Sequence, residues 1–480
     1  MTDTRSRDVD RVARQPALGT VATLVLIGGV FLPVLSFFVV NVALPGIGQG
    51  LGASAAGLQL VVGSYGIANA ALVVLGGRLG DAHGRRRLFL LGMAGFSLAA
   101  LVCGLAPNLT VLLIARVLQG ALAALMTPQV LSTIGATLQG DSRTRAIGLF
   151  SASGGVAAAL GQVLGGVLVS ADLFGLGWRS VFLVFVPVGL ASLVAAWRLI
   201  PETRASERLP LDALGAVILS ATLVLLLLPL TEGRPLGWPL WTTLTLVATI
   251  PAALLLTTHQ RRRERRGGAA LVSPRVVALP AMRLGLLTAV CYFTTFGGFM
   301  FVFALATQGD AHLTPLMGGL TLLPLAAAFM VVSAYFPRIE RRWGSRTLVA
   351  GWVIQLVGYA ALAGAVAAVW PQVTPLNLAL PMAVAGTGGA LVMTPLFGLV
   401  LSQVPPEQAG LGSGILITAQ QTCLSLGAAL VGTVYLTLAA GRGSGPALVT
   451  VCLLVSAVSL LGISLAVRLG RIGGSTPARR

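Results

Sequence analysis

The stretch Gly77-Arg78-Leu79-Gly80-Asp81-Ala82-His83-Gly84-Arg85-Arg86-Arg87 is a charged island between two long apolar runs. The run before it centres on Asn69 and the run after it on Phe96. Each supplies the roughly 20 mostly apolar residues that a helix needs to cross a bilayer. The glycines permit a tight turn, and Asp81 with the arginines can form a charge cluster beside the helix ends. The segment therefore reads as the loop of a transmembrane helical hairpin.

Working outward, the same alternation fills the chain. Cutting at arginine clusters and Pro/Gly-rich breaks leaves about fourteen candidate spans. They centre near Gly29, Asn69, Phe96, Ala123, Ala158, Pro187, Leu223, Val247, Phe296, Ala326, Tyr359, Ala390, Gln420 and Ser456. Composition agrees: 56% of residues are hydrophobic and 10% charged, with mean hydropathy +0.91. Soluble domains carry about 25% charged residues, so a soluble fold is excluded. Glycine takes 60 of the 480 positions, as expected where small residues let membrane helices approach closely. An all-α integral membrane protein follows. The first span is too long, and lacks the small-residue cleavage site, to be a signal peptide.

All 32 basic residues are arginines, and the net charge is +18. A basic balance can indicate nucleic-acid binding, but with this hydropathy it reads as cytoplasmic loop charge that orients the spans. With both termini cytoplasmic, 28 of the arginines fall in the tails or inner loops. Only Arg179, Arg234 and Arg442 lie outside, and Arg116 sits within a span. If just one of the segments around Leu223 and Val247 failed to cross, fifteen inner arginines would face outward. Twelve or fourteen spans satisfy the charges; thirteen does not. The run Arg261–Arg266 is a solvated orientation signal on this reading. The plan is a tail (1–16), six spans (17–200), two inserted spans (201–260), an Arg-rich inner loop (261–283), six more spans (284–470) and a tail (471–480).

The two sets of six show traces of duplication. At an offset of 260, Arg78, Leu79, Gly84, Arg86 and Leu88 align with Arg338, Ile339, Gly344, Arg346 and Leu348. At 266, Gly148, Leu160, Gly161 and Gly166 align with Gly414, Leu426, Gly427 and Gly432. Repeated halves are the usual build of secondary transporters.

The Gly77–Arg87 loop closely resembles the signature loop of the major facilitator superfamily. Arg116-Val-Leu-Gln119-Gly120 in span four is similar to that superfamily's second motif. Asn41-Val-Ala-Leu-Pro45 in span one, Gln59 and Tyr65 in span two, and Thr418-Ala-Gln420-Gln421 in span thirteen extend the resemblance. With the inserted pair, they resemble the fourteen-span drug:proton antiporter branch. The resemblance implies two six-helix bundles plus two helices, rocking about a central cavity. It also implies a multidrug or secondary-metabolite exporter of the bacterial plasma membrane that contributes to antibiotic resistance. Gly77, Asp81, Gly84, Arg85 and Arg86 would then form a conformational latch, since in the superfamily this loop stabilises one access state. Gly120, Gly161, Gly165 and Gly166 would pack helices.

The chain departs from that pattern in three places. Ser36 stands where span one usually carries an acid, Ala82 where an arginine usually follows Asp81, and Gln162 where span five usually has proline. Arg116 is the only charge inside a span, and no carboxylate or imidazole lies at mid-membrane. Intramembrane charge is costly and usually functional. Arg116 needs polar side chains, carbonyls, water or an anionic substrate; Gln119 lies on its face, and Asn41 and Gln59 are expected neighbours. It is either an anchor holding spans one, two and four together or a point that attracts a substrate carboxylate, phenolate or other electron-rich group. Thr418, Gln421 and Ser425 form a polar stripe that either lines the cavity or bonds neighbouring helices. Tyr65 and Gln162 are candidates of the same kind.

The expected partners are the lipid bilayer, a small-molecule substrate and protons, without nucleic acid. Facilitated or anion-linked transport is the alternative, because of Ser36. The only close acid pair, Asp8 and Asp10, lies in the tail, which argues against a metal–diphosphate membrane enzyme. Cys103, Cys291, Cys423 and Cys452 lie in apolar stretches without metal-ligand spacing, so no metal or cofactor is expected.

Overall fold

The computed structural model describes residues 18–203, 212–233, 236–268, 270–309, 311–344, 346–401, 404 and 409–473. Among them are fourteen helices long and apolar enough to cross a membrane, and no strand. They are α1 (Thr20–Leu51), α2 (Ala55–His83), α3 (Arg85–Gly104), α4 (Leu109–Thr137), α5 (Gly140–Ala171) and α6 (Phe185–Leu199, which with the helical turns before it makes the span Gly177–Leu199). Then follow α7 (Ala213–Glu232), α8 (Leu240–Arg265), α9 (Pro280–Gln308) and α10 (Pro315–Trp343). The last four are α11 (Arg346–Val369), α12 (Ala379–Leu401), α13 (Ala409–Arg442) and α14 (Ser444–Gly473). All fourteen centres read from hydropathy lie inside them. The protein is a multi-pass membrane protein.

Apolar windows make these segments helical, because in lipid every backbone N–H and C=O must be satisfied within the segment. Polar caps fix where several begin. Ser54, Asn108, Asp212 and Thr314 accept the N–H three residues on and start α2, α4, α7 and α10. Gly84 (φ 109°) and Gly344 (φ 54°), aligned in the internal repeat, both break the chain between consecutive helices at backbone angles that a side chain disfavours. Arginines cluster at the C-terminal ends of α8 and α10 and beside the α2–α3 junction, so one face of the bundle is Arg-rich and the other Arg-poor.

The packing repeats itself. α1 packs on α5 and α6, α2 on α4, and α3 on α4 and α6. Eight helices later, α9 packs on α13 and α14, α10 on α12, and α11 on α12 and α14. The two sets meet along α5–α10 and α2–α13. α7 packs on α2 and α13 and so covers one of these seams, while α8 packs on α7 and leaves most of its surface outward.

Glycine sets the closeness of the contacts. Gly161 and Gly165 of α5 lie on the α1 backbone, where added Cβ atoms would come 3.0 Å from the Leu35 carbonyl oxygen and 2.8 Å from that of Val39. At the α5–α10 seam, a Cβ on Gly166 would lie 2.4 Å from the Pro315 carbonyl oxygen, and one on Gly319 would lie 2.8 Å from that of Gln162. Nearer the Arg-rich face, Phe150 of α5 meets Phe397 of α12 edge-on, with ring centroids 6.2 Å apart. The two sets are therefore in contact at both levels.

Candidate functional site

Arg116 lies near the start of α4, with Gln119 and Gly120 on the same face. Gly120 lets α4 lie directly on α2, since a Cβ there would come 2.3 Å from the Tyr65 carbonyl oxygen. That approach buries Arg116 completely, at 0% exposure. Its Nε donates to the Val61 carbonyl at 3.0 Å, and its Nη1 to Gln119 Oε1 at 2.9 Å and Ser36 Oγ at 3.3 Å. The guanidinium carbon sits 4.3 Å from the centroid of the Tyr65 ring and 5.8 Å from that of Phe182, a favourable cation–π arrangement. Tyr65 is held in turn by its hydroxyl, which donates to the Pro33 carbonyl at 2.9 Å. Arg116 Nη2 and Gln119 Nε2 find no acceptor among the described residues.

Arg116, Gln119 and Tyr65 thus come together, and one guanidinium ties α1, α2 and α4. The partner on α1 is Ser36, not Asn41. Asn41 and Gln59, expected beside Arg116, make no hydrogen bond to it, because Ser36 and the Val61 carbonyl hold those places. Asn41 is buried, with Oδ1 unpartnered. Gln59 and Ser425 instead line a cavity of about 10 Å³ between α2, α7 and α13, with Thr231. That volume admits about one water. Gln162 reaches across the halves, and its Nε2 donates to the Met300 carbonyl of α9 at 3.4 Å. Thr418 donates to its own helix at Gly414, and Gln421 is half-buried.

The loop residues form a separate group at the Arg-rich face. Arg85 pairs with Asp81 at 2.9 Å and donates to the Ser132 carbonyl of α4 at 3.0 Å. Arg86 turns away from Asp81: its backbone N–H donates to Glu202 Oε1 at 3.2 Å and its guanidinium to the Trp197 carbonyl. A Cβ on Gly84 would lie 2.6 Å from the Glu202 carboxylate, which could swing aside, so it is the φ of 109° that favours glycine there. A Cβ on Gly77 would lie 3.4 Å from Pro128, an ordinary contact.

A third cluster is absent from the sequence reading. The Asp212 side chain, 1% exposed, accepts from His259 Nε2 and Gln260 Nε2, each at 2.9 Å, and from the Gly215 N–H at 3.0 Å. Gln260 Oε1 accepts from the Leu271 N–H, and Arg78 Nη2 donates to the Ala270 carbonyl at 2.7 Å. The inserted pair is therefore tied through the loop after α8 to the end of α2. The signal was an aspartate just before an apolar run, an N-cap pattern.

Burial pushes the Asp212 carboxyl up, but His259, the Gly215 N–H, Gln260 and Arg263 together hold it below the usual carboxylate range. A depressed folded-state value contributes stability above the ordinary range, and that stability is lost only as pH falls through the depressed value. Asp212→Ala is expected to cost on the order of 2–3 kcal/mol. The resulting drop in melting temperature should be constant across neutral pH and shrink only below about pH 4.

The family model described as Major Facilitator Superfamily matches residues 26–428. The chain is 35% identical to the probable actinorhodin transporter of Streptomyces coelicolor over 86% of its own length and 71% of that protein's. It is 33% identical to the cephamycin export protein CmcT of Amycolatopsis lactamdurans, over 90% and 88% of the two chains. Its fold is similar to the crystal structure of the human organic anion transporter MFSD10 (TETRAN), with TM-score 0.65, 17% identity and coverage of 93% and 99%.

Proposed function

The chain belongs to the Major Facilitator Superfamily, and from that premise we propose that it exports antibiotic-type secondary metabolites by proton-coupled alternating access. It is a membrane transporter, not an enzyme. The similarity to an actinorhodin transporter and a cephamycin export protein along most of all three chains supports export and the substrate class. The moving bodies are the six-helix sets 17–200 and 284–470, with 201–260 inserted between them. The Arg-rich face and both termini, with the loop 261–283, lie in the cytoplasm of a bacterial cell.

The observation that carries a substrate role is the unpaired Nη2 of a fully buried Arg116. A buried donor without an acceptor is costly, and an electron-rich group such as a carboxylate or phenolate would satisfy it once the halves part. In the closed arrangement the same side chain anchors α1, α2 and α4. Gln119, Tyr65, Asn41, Gln59, Gln162, Thr418, Gln421 and Ser425 complete the pathway in this reading. The loop from Gly77 to Arg86 acts as the latch that favours one access state.

Expression in an efflux-deficient bacterial host should raise tolerance to actinorhodin or to other members of an antibiotic panel. In proteoliposomes the same compound should move when a pH gradient is imposed. Flux indifferent to the gradient would favour facilitation, the reading suggested by Ser36, a hydroxyl rather than a carboxylate, beside Arg116. Absence of flux and of tolerance across the panel would overturn the export reading.

A further inference from the structure

We propose that Glu232, at the Arg-poor end of the inserted helix α7, is a proton-binding site whose occupancy is linked to closure of that end of the transporter. The inference rests on the proton-coupled reading above and names a group that could serve it. In sequence, Glu232 sits at the edge of a span and looks like an ordinary interfacial acid. In the structure its depth is that of an edge, but sideways it is interior. It is 6% exposed, and Oε1 has no hydrogen-bond donor among the described residues.

The surroundings place the end of α7 at the gate. α7 packs on α2 of the first set and on α13 of the second, so it bridges the seam along which those two helices meet. Thr231, the neighbouring residue, presses on Gly63 of α2, where a Cβ would come 2.8 Å from its Cγ2. Thr231 also lines the small cavity with Gln59 and Ser425, and Gln59 Nε2 and Ser425 Oγ are themselves buried without partners among the described residues. One turn deeper on α2, a Cβ on Gly66 would lie 2.2 Å from Ser425 Oγ. We infer the link between Glu232 and the α2–α13 contact from its neighbour Thr231, which lies in that contact, while the loop after α7 folds back over the same end, the Trp238 N–H donating to the Gly233 carbonyl. The helices against α7 offer little charge to compensate a carboxylate. On their Arg-poor halves, α2 carries only Tyr65, α8 carries no ionisable group, and α13 carries Tyr435 and Arg442. Arg234, two positions on, lies outside the described residues.

An isolated carboxylate taken out of water is far costlier than the neutral acid. The closed arrangement therefore favours the acid, and parting of α2 from α13 admits water that favours the ion. The step is uptake or release of one proton, carboxylate plus proton giving carboxylic acid, with no other reactant. By linkage, whatever protonates Glu232 favours closure, and closure favours protonation. The inserted pair would then supply a titratable group that span one, with Ser36, lacks.

The test uses the full chain with spin labels at Phe174→Cys and Leu376→Cys, exposed at 96% and 86% on Arg-poor loops of the two sets. The four native cysteines are replaced. The label separation in lipid nanodiscs should lengthen as pH rises, follow a single-proton curve, and stay short at every pH in Glu232→Gln. Glu232→Asp should keep a pH response, which separates titration from packing. An unchanged pH response in Glu232→Gln, or none in the parent, would overturn the proposal. Gradient-driven actinorhodin flux, measured alongside, separates the two readings. Flux that persists in Glu232→Gln leaves proton coupling standing and removes Glu232 from it. A gate that responds to pH through Glu232 in a protein whose flux ignores the gradient removes coupling and keeps the site.

Discussion

Arg116→Ala is expected to abolish export, with loss of tolerance in the host and at least a tenfold fall in flux. Three hydrogen bonds from a charged donor disappear together: to Val61, Gln119 and Ser36. Hydrogen bonds to charged groups contribute about 1.5–3 kcal/mol each, and about 1.4 kcal/mol is tenfold in an equilibrium. The Val61 carbonyl would keep only its bond within α2 and Gln119 Oε1 only the long contact from the Cys103 thiol at 3.9 Å, so the change also weakens the α1–α2–α4 junction. Arg116→Lys distinguishes the two roles. An ammonium keeps the charge but loses the planar fork that stacks on Tyr65 and reaches three acceptors at once. If Arg116 acts on substrate through charge, the lysine variant should retain part of its flux for anionic compounds while losing melting temperature. If it is an anchor only, flux should fall in proportion to the loss of stability for charged and neutral compounds alike. An alanine variant that is well expressed and transports normally would sink both roles.

The sequence revealed the number of spans and hid their lateral neighbours, for one physical reason. Hydropathy reports transfer from water to lipid, so runs such as those around Asn69 and Phe96 stand out without any knowledge of packing. Packing between helices in lipid is a different quantity, because a leucine side chain meets lipid tails about as favourably as it meets another helix. Ser36 illustrates the consequence. It was noted as a departure at the position of an expected acid, yet its contact with Arg116 joins residues 80 positions apart and no periodicity encodes it. Glu232 shows the same limit from the other side: its depth follows from its place in the span, but its burial at 6% exposure is visible only in the structure. Glycines carry a different kind of signal, since a missing Cβ permits close approach wherever the fold needs it. At Gly120, Gly165 and Gly166 a Cβ would come within 2.8 Å of a neighbouring carbonyl oxygen, and at Gly161 within 3.0 Å.

Those glycines separate folding from gating, and the contrast gives the second large effect. Gly166→Leu is expected to stop transport while leaving each helical set folded. Gly166 faces the Pro315 carbonyl and the Leu316 backbone of α10, neither of which can rotate aside, and a Cβ would come 2.4 Å from the oxygen. The contact lies between the two sets, so opening the Arg-poor end relieves the clash. Overpacking typically costs about 1–3 kcal/mol, and applied to an access equilibrium that is roughly a 5- to 150-fold shift toward the open arrangement. Gly161→Leu puts a milder Cβ contact, 3.0 Å from the Leu35 carbonyl, plus the rest of the side chain within the first set, between α5 and α1. No rocking motion of the sets as rigid bodies relieves it, so this variant should lose melting temperature and expression rather than shift the gate. Spin-label distances across the Arg-poor face, read beside thermal stability, check both expectations. A Gly166→Leu protein that closes normally, or a Gly161→Leu protein that is stable but locked open, would show that the sets do not move as units along the α5–α10 seam.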